Sequence, residues 1–195
     1  MPFRDFARDQ RTPLPIALTP KDCQGATYIV TGANTGLGFE CAKHLVQLSS
    51  KRVILGVRTL RKGDEAKAKI EAETGRKGIV EVWHLDLTSY DSVKEFAKNV
   101  KGLDRVDAII ENAGVAMSKW STAEGMETSL TVNNVSTMLL AVLVLPKLQE
   151  SGEKFGISPS LVIVGSNASF GAEGELEKIH GDIFDVLNQG ITVKR

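Results

Sequence analysis

The chain has 195 residues, of which 42% are hydrophobic, and it carries 24 basic and 24 acidic side chains. This length fits one domain with a sizeable core, and the balanced charge excludes the strongly basic surface that attracts nucleic acid or anionic membranes. Two cysteines, Cys23 and Cys41, are too few for a disulfide framework and have no metal-ligand spacing. We therefore predict no metal site and a reducing, cytoplasmic setting.

The order of polar and apolar segments predicts one α/β domain behind a short arm. Residues 1–22 are polar and carry Pro13, Pro15 and Pro20, which predicts a loosely held N-terminal arm ahead of a domain over residues 23–195. Runs rich in valine and isoleucine predict strands at 27–31, 52–57, 80–85, 107–111 and 161–165, and the segments 37–49, 62–74, 89–101 and 123–150 predict helices. This alternation is typical of a Rossmann-like, doubly wound parallel sheet between two helix layers, a three-layer αβα fold. The most apolar stretch, residues 138–145, is too short to span a bilayer and predicts a core-facing helix.

A glycine-rich turn, TGANTGLG at residues 31–38, lies between the first predicted strand and the first predicted helix. Glycine lets the backbone turn tightly and lets a pyrophosphate approach the main chain. The free N–H groups at the helix start then favour the negative charge of that pyrophosphate. The order of strand, glycine turn and helix therefore predicts a nucleotide site.

The residue after the second predicted strand discriminates between the two nicotinamide cofactors. An acidic residue there, about 20 residues after the glycines, would bind a free ribose 2′-hydroxyl. This chain has Arg58, whose guanidinium can pair bidentately with a 2′-phosphate, so we favour NADP over NAD. The alternative is that Arg58 is a solvated surface arginine, as we expect for the nearby Arg61 and Lys62.

Several motifs together resemble the short-chain dehydrogenase/reductase family, in particular the retinol-dehydrogenase-like reductases of fungal secondary metabolism. Besides the glycine turn and Arg58, they are Leu-Asp-Leu at 85–87, Asn-Ala-Gly at 112–114, Val-Asn at 132–133 and Gly-Ser at 165–166. The resemblance implies an NADP-dependent oxidoreductase that acts on a small-molecule carbonyl or secondary alcohol, without a nucleic-acid or membrane partner. The cofactor-binding residues it implies are Gly32, Asn34, Thr35, Gly36, Leu37, Gly38, Arg58, Asp86, Leu87, Asn112, Ala113 and Gly114.

The resemblance also assigns two catalytic positions. Ser166 would donate a hydrogen bond to the substrate carbonyl, where charge builds up during hydride transfer. Asn133 would hold a water of the proton relay, with the adjacent Asn134 as the competing choice. Asp86 would accept from the adenine amino group, and its alternative role is to cap the helix that begins near Ser89.

The family's Tyr-x-x-x-Lys pair does not follow Ser166, since the only tyrosines, Tyr28 and Tyr90, lie upstream. We therefore expect a chain that ends before this pair and lacks the last strands of the family. We do not expect His180 or Lys178 to replace the pair, because they lie in a segment that resembles a solvated helix. The second hypothesis is thus a non-catalytic NADP-binding fragment or pseudoenzyme. The resemblance leaves open whether the protein is a monomer or a homo-oligomer.

Overall fold

A computed structural model of the chain describes residues 11–13, 17–166, 174 and 176–188. These residues fall into two units, and residues 18–164 form the larger one. Most of the predicted arm, residues 1–10 and 14–16, lies outside the described residues. The remainder is exposed as far as residue 22, and the short helix α1 (Pro20–Cys23) already begins inside the predicted arm.

The larger unit contains a five-stranded, fully parallel sheet, which confirms the Rossmann-like fold class. The strands are β1 (Thr27–Thr31), β2 (Arg52–Val57), β3 (Val80–His84), β4 (Ala108–Glu111) and β7 (Ser160–Ile163). Their order in the sheet is β3-β2-β1-β4-β7. The chain thus adds β2 and β3 on one side of β1 and returns to the other side with β4, so the order reverses beside β1.

Helices cover both faces of this sheet. Side chains of consecutive strand residues point to opposite faces, and the core therefore has two layers. Val30 of β1 packs in the layer below α2 (Gly36–Gln47) and α3 (Leu60–Thr74), whereas its neighbour Ile29 packs in the layer below α4 (Tyr90–Lys101) and α5 (Thr128–Phe155). The predicted helices 37–49, 62–74 and 89–101 agree with α2, α3 and α4 to within two residues.

The predicted helix at 123–150 is wrong at its start. Residues up to Glu127 form a small antiparallel hairpin of β5 (Thr122–Ala123) and β6 (Met126–Glu127). Glu124 and Gly125 make the turn, with φ of +53° and +79°, and this backbone conformation cannot belong to a right-handed helix. The helix α5 then begins at Thr128 and includes a π-helical segment, Thr131–Ser136.

The last predicted strand is also shifted, because β7 pairs with β4 over Ser160–Ile163 rather than over 161–165. Of the C-terminal segment, the structure describes a 3-10 turn at Leu176–Lys178 and the helix α6 (Ile183–Asn188), both in the smaller unit. Around Lys178 and His180, where a solvated helix was predicted, the described residues contain only the short turn at Leu176–Lys178.

Within the described ranges, α5 is the one helix long and apolar enough to cross a membrane. By packing it is a core helix, as predicted from residues 138–145, since Leu140, Val144 and Leu148 are buried against the sheet. An apolar face buried in this way is typical of a central helix in an α/β domain.

Candidate functional site

Two turns meet at the carboxyl end of the sheet, one after β1 and one after β4. The Thr31 hydroxyl accepts hydrogen bonds from the backbone N–H groups of Asn112 and Ala113, both at 3.0 Å. In return, the Asn112 side-chain amide donates to the Thr31 carbonyl at 3.0 Å. Thr31 was not predicted as a site residue, although its hydroxyl joins the glycine turn to the Asn-Ala-Gly turn.

The glycines of the first turn have two different roles. A Cβ on Gly38 would lie 2.4 Å from the Asn112 amide nitrogen and 2.8 Å from the Gly32 carbonyl oxygen, so only glycine fits there. Gly36 has φ of +61°, and a Cβ on it would meet no atom of the described residues within 4 Å. Gly38 therefore lets two backbones pack together, while Gly36 is needed for its backbone conformation.

Among the described residues, no side chain caps the start of α2. Thr35 occupies the N-cap position without a capping hydrogen bond to its own side chain, and the first turn contains no acidic residue. The adjacent Leu37 side chain is 76% exposed. Because uncapped N–H groups and the helix dipole both favour an anion, the residues present fit a pyrophosphate.

Arg58 follows β2 directly and its side chain is exposed. In the described part of the chain, its guanidinium has neither a hydrogen bond nor an ion pair. Arg61 pairs instead with Glu65 on the same helix. Arg58 is thus available to an anionic ligand, and its role toward a 2′-phosphate stays a prediction.

Asp86 lies in the turn between β3 and α4. One carboxylate oxygen accepts from the backbone N–H and the hydroxyl of Thr88, at 2.9 and 2.7 Å. Ser89 caps α4 by accepting from the Ser92 N–H, so Asp86 is not the helix cap. Its other carboxylate oxygen has no partner among the described residues and can accept from a ligand. The neighbouring Leu87 buries its side chain in the core, which leaves its backbone for such a contact.

Asn133 and Asn134 have different surroundings, which the sequence did not show. The Asn133 amide oxygen accepts from the Val115 N–H and its amide nitrogen donates to the Val115 carbonyl, both at 2.8 Å. Asn134 makes no side-chain hydrogen bond in the described residues. Asn133 therefore joins the π-helical segment to the chain just beyond Gly114, whereas its role in a proton relay stays a prediction. Short π-helical segments often occur at functional sites.

Glu111, the last residue of β4, is a buried acid. Its side chain is 3% exposed, and neither carboxylate oxygen has a hydrogen-bond partner in the described residues. Burial raises the pKa of this carboxyl to about 8. An acidic residue at the end of an otherwise apolar strand was the sequence signal for this group.

Ser166 follows the last residue of β7 by three positions and belongs to the smaller unit. Its predicted contact with a substrate carbonyl therefore stays a prediction. His180 and Lys178 are exposed. Among the described residues, no cluster of three histidine, cysteine or acidic side chains could hold a metal ion.

Residues 26–175 match the family model described as short chain dehydrogenase. The chain is 48% identical over 145 residues to a short chain dehydrogenase/reductase of Cryptosporiopsis sp., covering 73% of this chain and 45% of that protein. It is 39% identical over 187 residues to a short chain dehydrogenase of Gibberella zeae, covering 95% of this chain and 54% of that protein. The chain therefore spans about half the length of these curated relatives.

Two similar solved structures contain NADPH. One is a short-chain dehydrogenase from Sphingobium yanoikuyae, with a TM-score of 0.65, 26% identity, and coverage of 84% of this chain and 61% of that chain. The other is a protein from Escherichia coli described as a putative short chain dehydrogenase, with a TM-score of 0.63, 25% identity, and coverage of 80% and 64%.

Proposed function

The chain belongs to the short-chain dehydrogenase/reductase family of oxidoreductases, and from this we propose that it binds NADP. We further propose that the protein uses NADP to interconvert a carbonyl and a secondary alcohol in secondary-metabolite biosynthesis. The comparisons do not favour the alternative, a non-catalytic NADP-binding fragment.

The observation that carries this proposal is the uncapped start of α2 beside Gly36, at the point where the strand order reverses. Ligands of open α/β sheets bind at this point, and NADPH is bound in two similar structures. The exposed Arg58 would supply the charge that a 2′-phosphate needs. The Asp86 carboxylate oxygen that has no partner in the described residues would accept from the adenine amino group. When bound, the nicotinamide cofactor would supply the hydride as NADPH or accept it as NADP⁺.

The residues of this chain would bind and orient rather than transfer hydride. The backbone N–H groups from Gly36 to Gly38 would hold the pyrophosphate, and the Asn112–Gly114 turn, joined to β1 through Thr31, would border the ribose. Asn133 would order a water, and Ser166 would donate to the substrate oxygen as charge develops there.

Neither tyrosine of the chain fits the role of the general acid–base. The Tyr28 hydroxyl is buried and donates to the Cys23 sulfur at 3.5 Å, and burial raises its pKa. The Tyr90 hydroxyl donates to the Met126 sulfur at 3.8 Å. Neither Tyr28 nor Tyr90 would therefore donate the proton of the reaction.

We also propose a cytoplasmic location, a small-molecule partner and a homo-oligomeric assembly. The balanced charge of the chain supports the absence of a nucleic-acid or membrane partner.

A pair of arginine variants tests the proposal. Arg58→Ala should lower the affinity for NADPH about tenfold or more, because it removes a charge-assisted pair with the 2′-phosphate, and should leave NADH binding unchanged. Arg61→Ala is the matched control, since that arginine already pairs with Glu65. Fluorescence titration with both cofactors measures the effect. Equal losses for NADPH and NADH, or an equal loss in the control, would contradict the role of Arg58.

A further inference from the structure

The turn of the β5–β6 hairpin contains an unusual residue. A two-residue hairpin turn with positive φ at both positions normally has asparagine, aspartate or glycine first. Here Glu124 occupies that position with φ of +53°, followed by Gly125 at +79°. A glutamate is strained in this conformation, and a strained residue often indicates a contact that needs its side chain.

Glu124 makes such a contact with α4. Its carboxylate accepts from the backbone N–H of Tyr90 at 2.8 Å, one of the first-turn N–H groups that have no partner inside a helix. The Tyr90 hydroxyl donates in turn to Met126 on the other strand of the hairpin. The hairpin is thus attached to the start of α4, directly after the turn that contains Asp86.

The same hairpin is attached to the π-helical segment on its other side. The Thr131 hydroxyl donates to the Ala123 carbonyl at 2.9 Å and is 3.1 Å from the Glu127 carbonyl. The Glu127 carboxylate accepts from the Leu130 N–H at 2.8 Å, which caps the helix that continues to Asn133. Although burial acts to raise the pKa of Glu127, its hydrogen bonds with Ser129 and Leu130 lower it.

We propose that Glu124 is a positioning residue that couples two parts of the proposed cofactor site through this hairpin. One part is the Asp86 turn, where adenine would bind, and the other is Asn133 with the chain after Gly114, where the ribose would bind. The coupling to cofactor rests on the proposed function, whereas the coupling between the two turns is a property of the free protein.

Three variants test the proposal. Glu124→Gly removes the carboxylate and also relieves the backbone strain. Any loss of amide protection or of NADPH affinity in this variant therefore comes from the missing contact with Tyr90. Glu124→Gln keeps an oxygen acceptor for the Tyr90 N–H. Asp91→Asn is the matched control, since Asp91 lies in the same first turn of α4, is exposed, and contacts Lys94 rather than the hairpin.

Amide hydrogen exchange of the cofactor-free protein is the first measurement. In Glu124→Gly, we expect about fivefold faster exchange both at Tyr90 and at Val115, whose N–H is held by Asn133, because one helix-cap interaction is lost. The second measurement is the NADPH dissociation constant, which should increase about fivefold in the same variant. Glu124→Gln and Asp91→Asn should match the wild-type protein in both.

Three outcomes would overturn the proposal. If exchange in Glu124→Gly increases at Tyr90 alone, the glutamate is a local helix cap without coupling. If Glu124→Gln loses as much protection from exchange and as much NADPH affinity as Glu124→Gly, the coupling does not depend on an acceptor for the Tyr90 N–H. If Asp91→Asn shows the same change, the effect is one of charge near α4. Failure of the wild-type protein to bind NADPH would refute the proposed function, while the exchange data would still decide the coupling.

Discussion

Replacing Glu111 by glutamine should change how the stability of this protein depends on pH. The carboxyl at the end of β4 is 3% exposed and lacks a hydrogen-bond partner in the described part of the chain. Strand alternation places it on the same face as Ile109, which packs in the layer below α4 and α5. A charge in this apolar layer is unfavourable, and the folded protein therefore retains the proton on the carboxyl up to a pH of about 8.

The size of the effect follows from the two pKa values of Glu111. Burial raises the pKa to about 8 in the folded protein, against 4.5 for an exposed glutamate. Between these two values the folded chain binds a proton that the unfolded chain has released, so the free energy of unfolding falls as pH rises. The free energy of unfolding changes by about 1.4 kcal/mol for each pH unit, and therefore by about 5 kcal/mol between these two pKa values. The stabilisation that comes from the retained proton is complete below pH 4.5 and absent above pH 8.

Urea unfolding of the wild-type protein and of Glu111→Gln from pH 5 to pH 9 measures this effect. The difference in the free energy of unfolding between the two proteins should change by about 4 kcal/mol across this range. The variant becomes relatively more stable at high pH, because glutamine does not ionise. Glu153→Gln, which removes an exposed acid from α5, is the matched control and should keep the wild-type slope. If Glu111→Gln also keeps that slope, Glu111 is not protonated in the folded state and the reasoning is refuted.

Two further predictions concern the turns at the candidate site. Thr31→Val should lower the free energy of unfolding by about 2 kcal/mol, because two backbone N–H groups lose their acceptor, while Thr27→Val on the same strand should have a smaller effect in the same urea assay. A loss in the control as large as that in Thr31→Val would show that the paired N–H groups are not responsible. Gly38→Ala should destabilise the protein by about 2 kcal/mol and abolish NADPH binding, because its Cβ has no room. Gly36→Ala should destabilise it by only about 1 kcal/mol, through backbone strain alone. Wild-type stability of Gly38→Ala would contradict the close packing of the two turns.

Much of the fold could be predicted from local patterns. Strands β1 and β2 have the predicted bounds, because apolar runs of this length in a parallel sheet are buried on both faces. The hairpin before α5 was missed because its strands are only two residues long and too short to show a period. A glutamate is also not the residue that normally indicates its type of turn.

The candidate site shows the same division. The location of the glycine turn, Arg58 and Asp86 at one edge of the sheet was predictable, because each follows a predicted strand and all parallel strands end at the same edge. Their roles toward a cofactor stay predictions. The choice between Asn133 and Asn134 was not, because two adjacent residues of one type differ only in what they face.

The sequence by itself determined the alternation of strands and helices, the family and the turn where a nucleotide would bind, because these depend on residues close together in the chain. Only the tertiary structure decided which side chains join those turns. It paired Thr31 with the chain after β4, Asn133 with Val115, and Glu124 with Tyr90. It also buried Glu111 without a hydrogen-bond partner among the described residues. The physical reason is that hydrogen bonding and burial depend on neighbours that are distant in sequence and that only the packed sheet brings together.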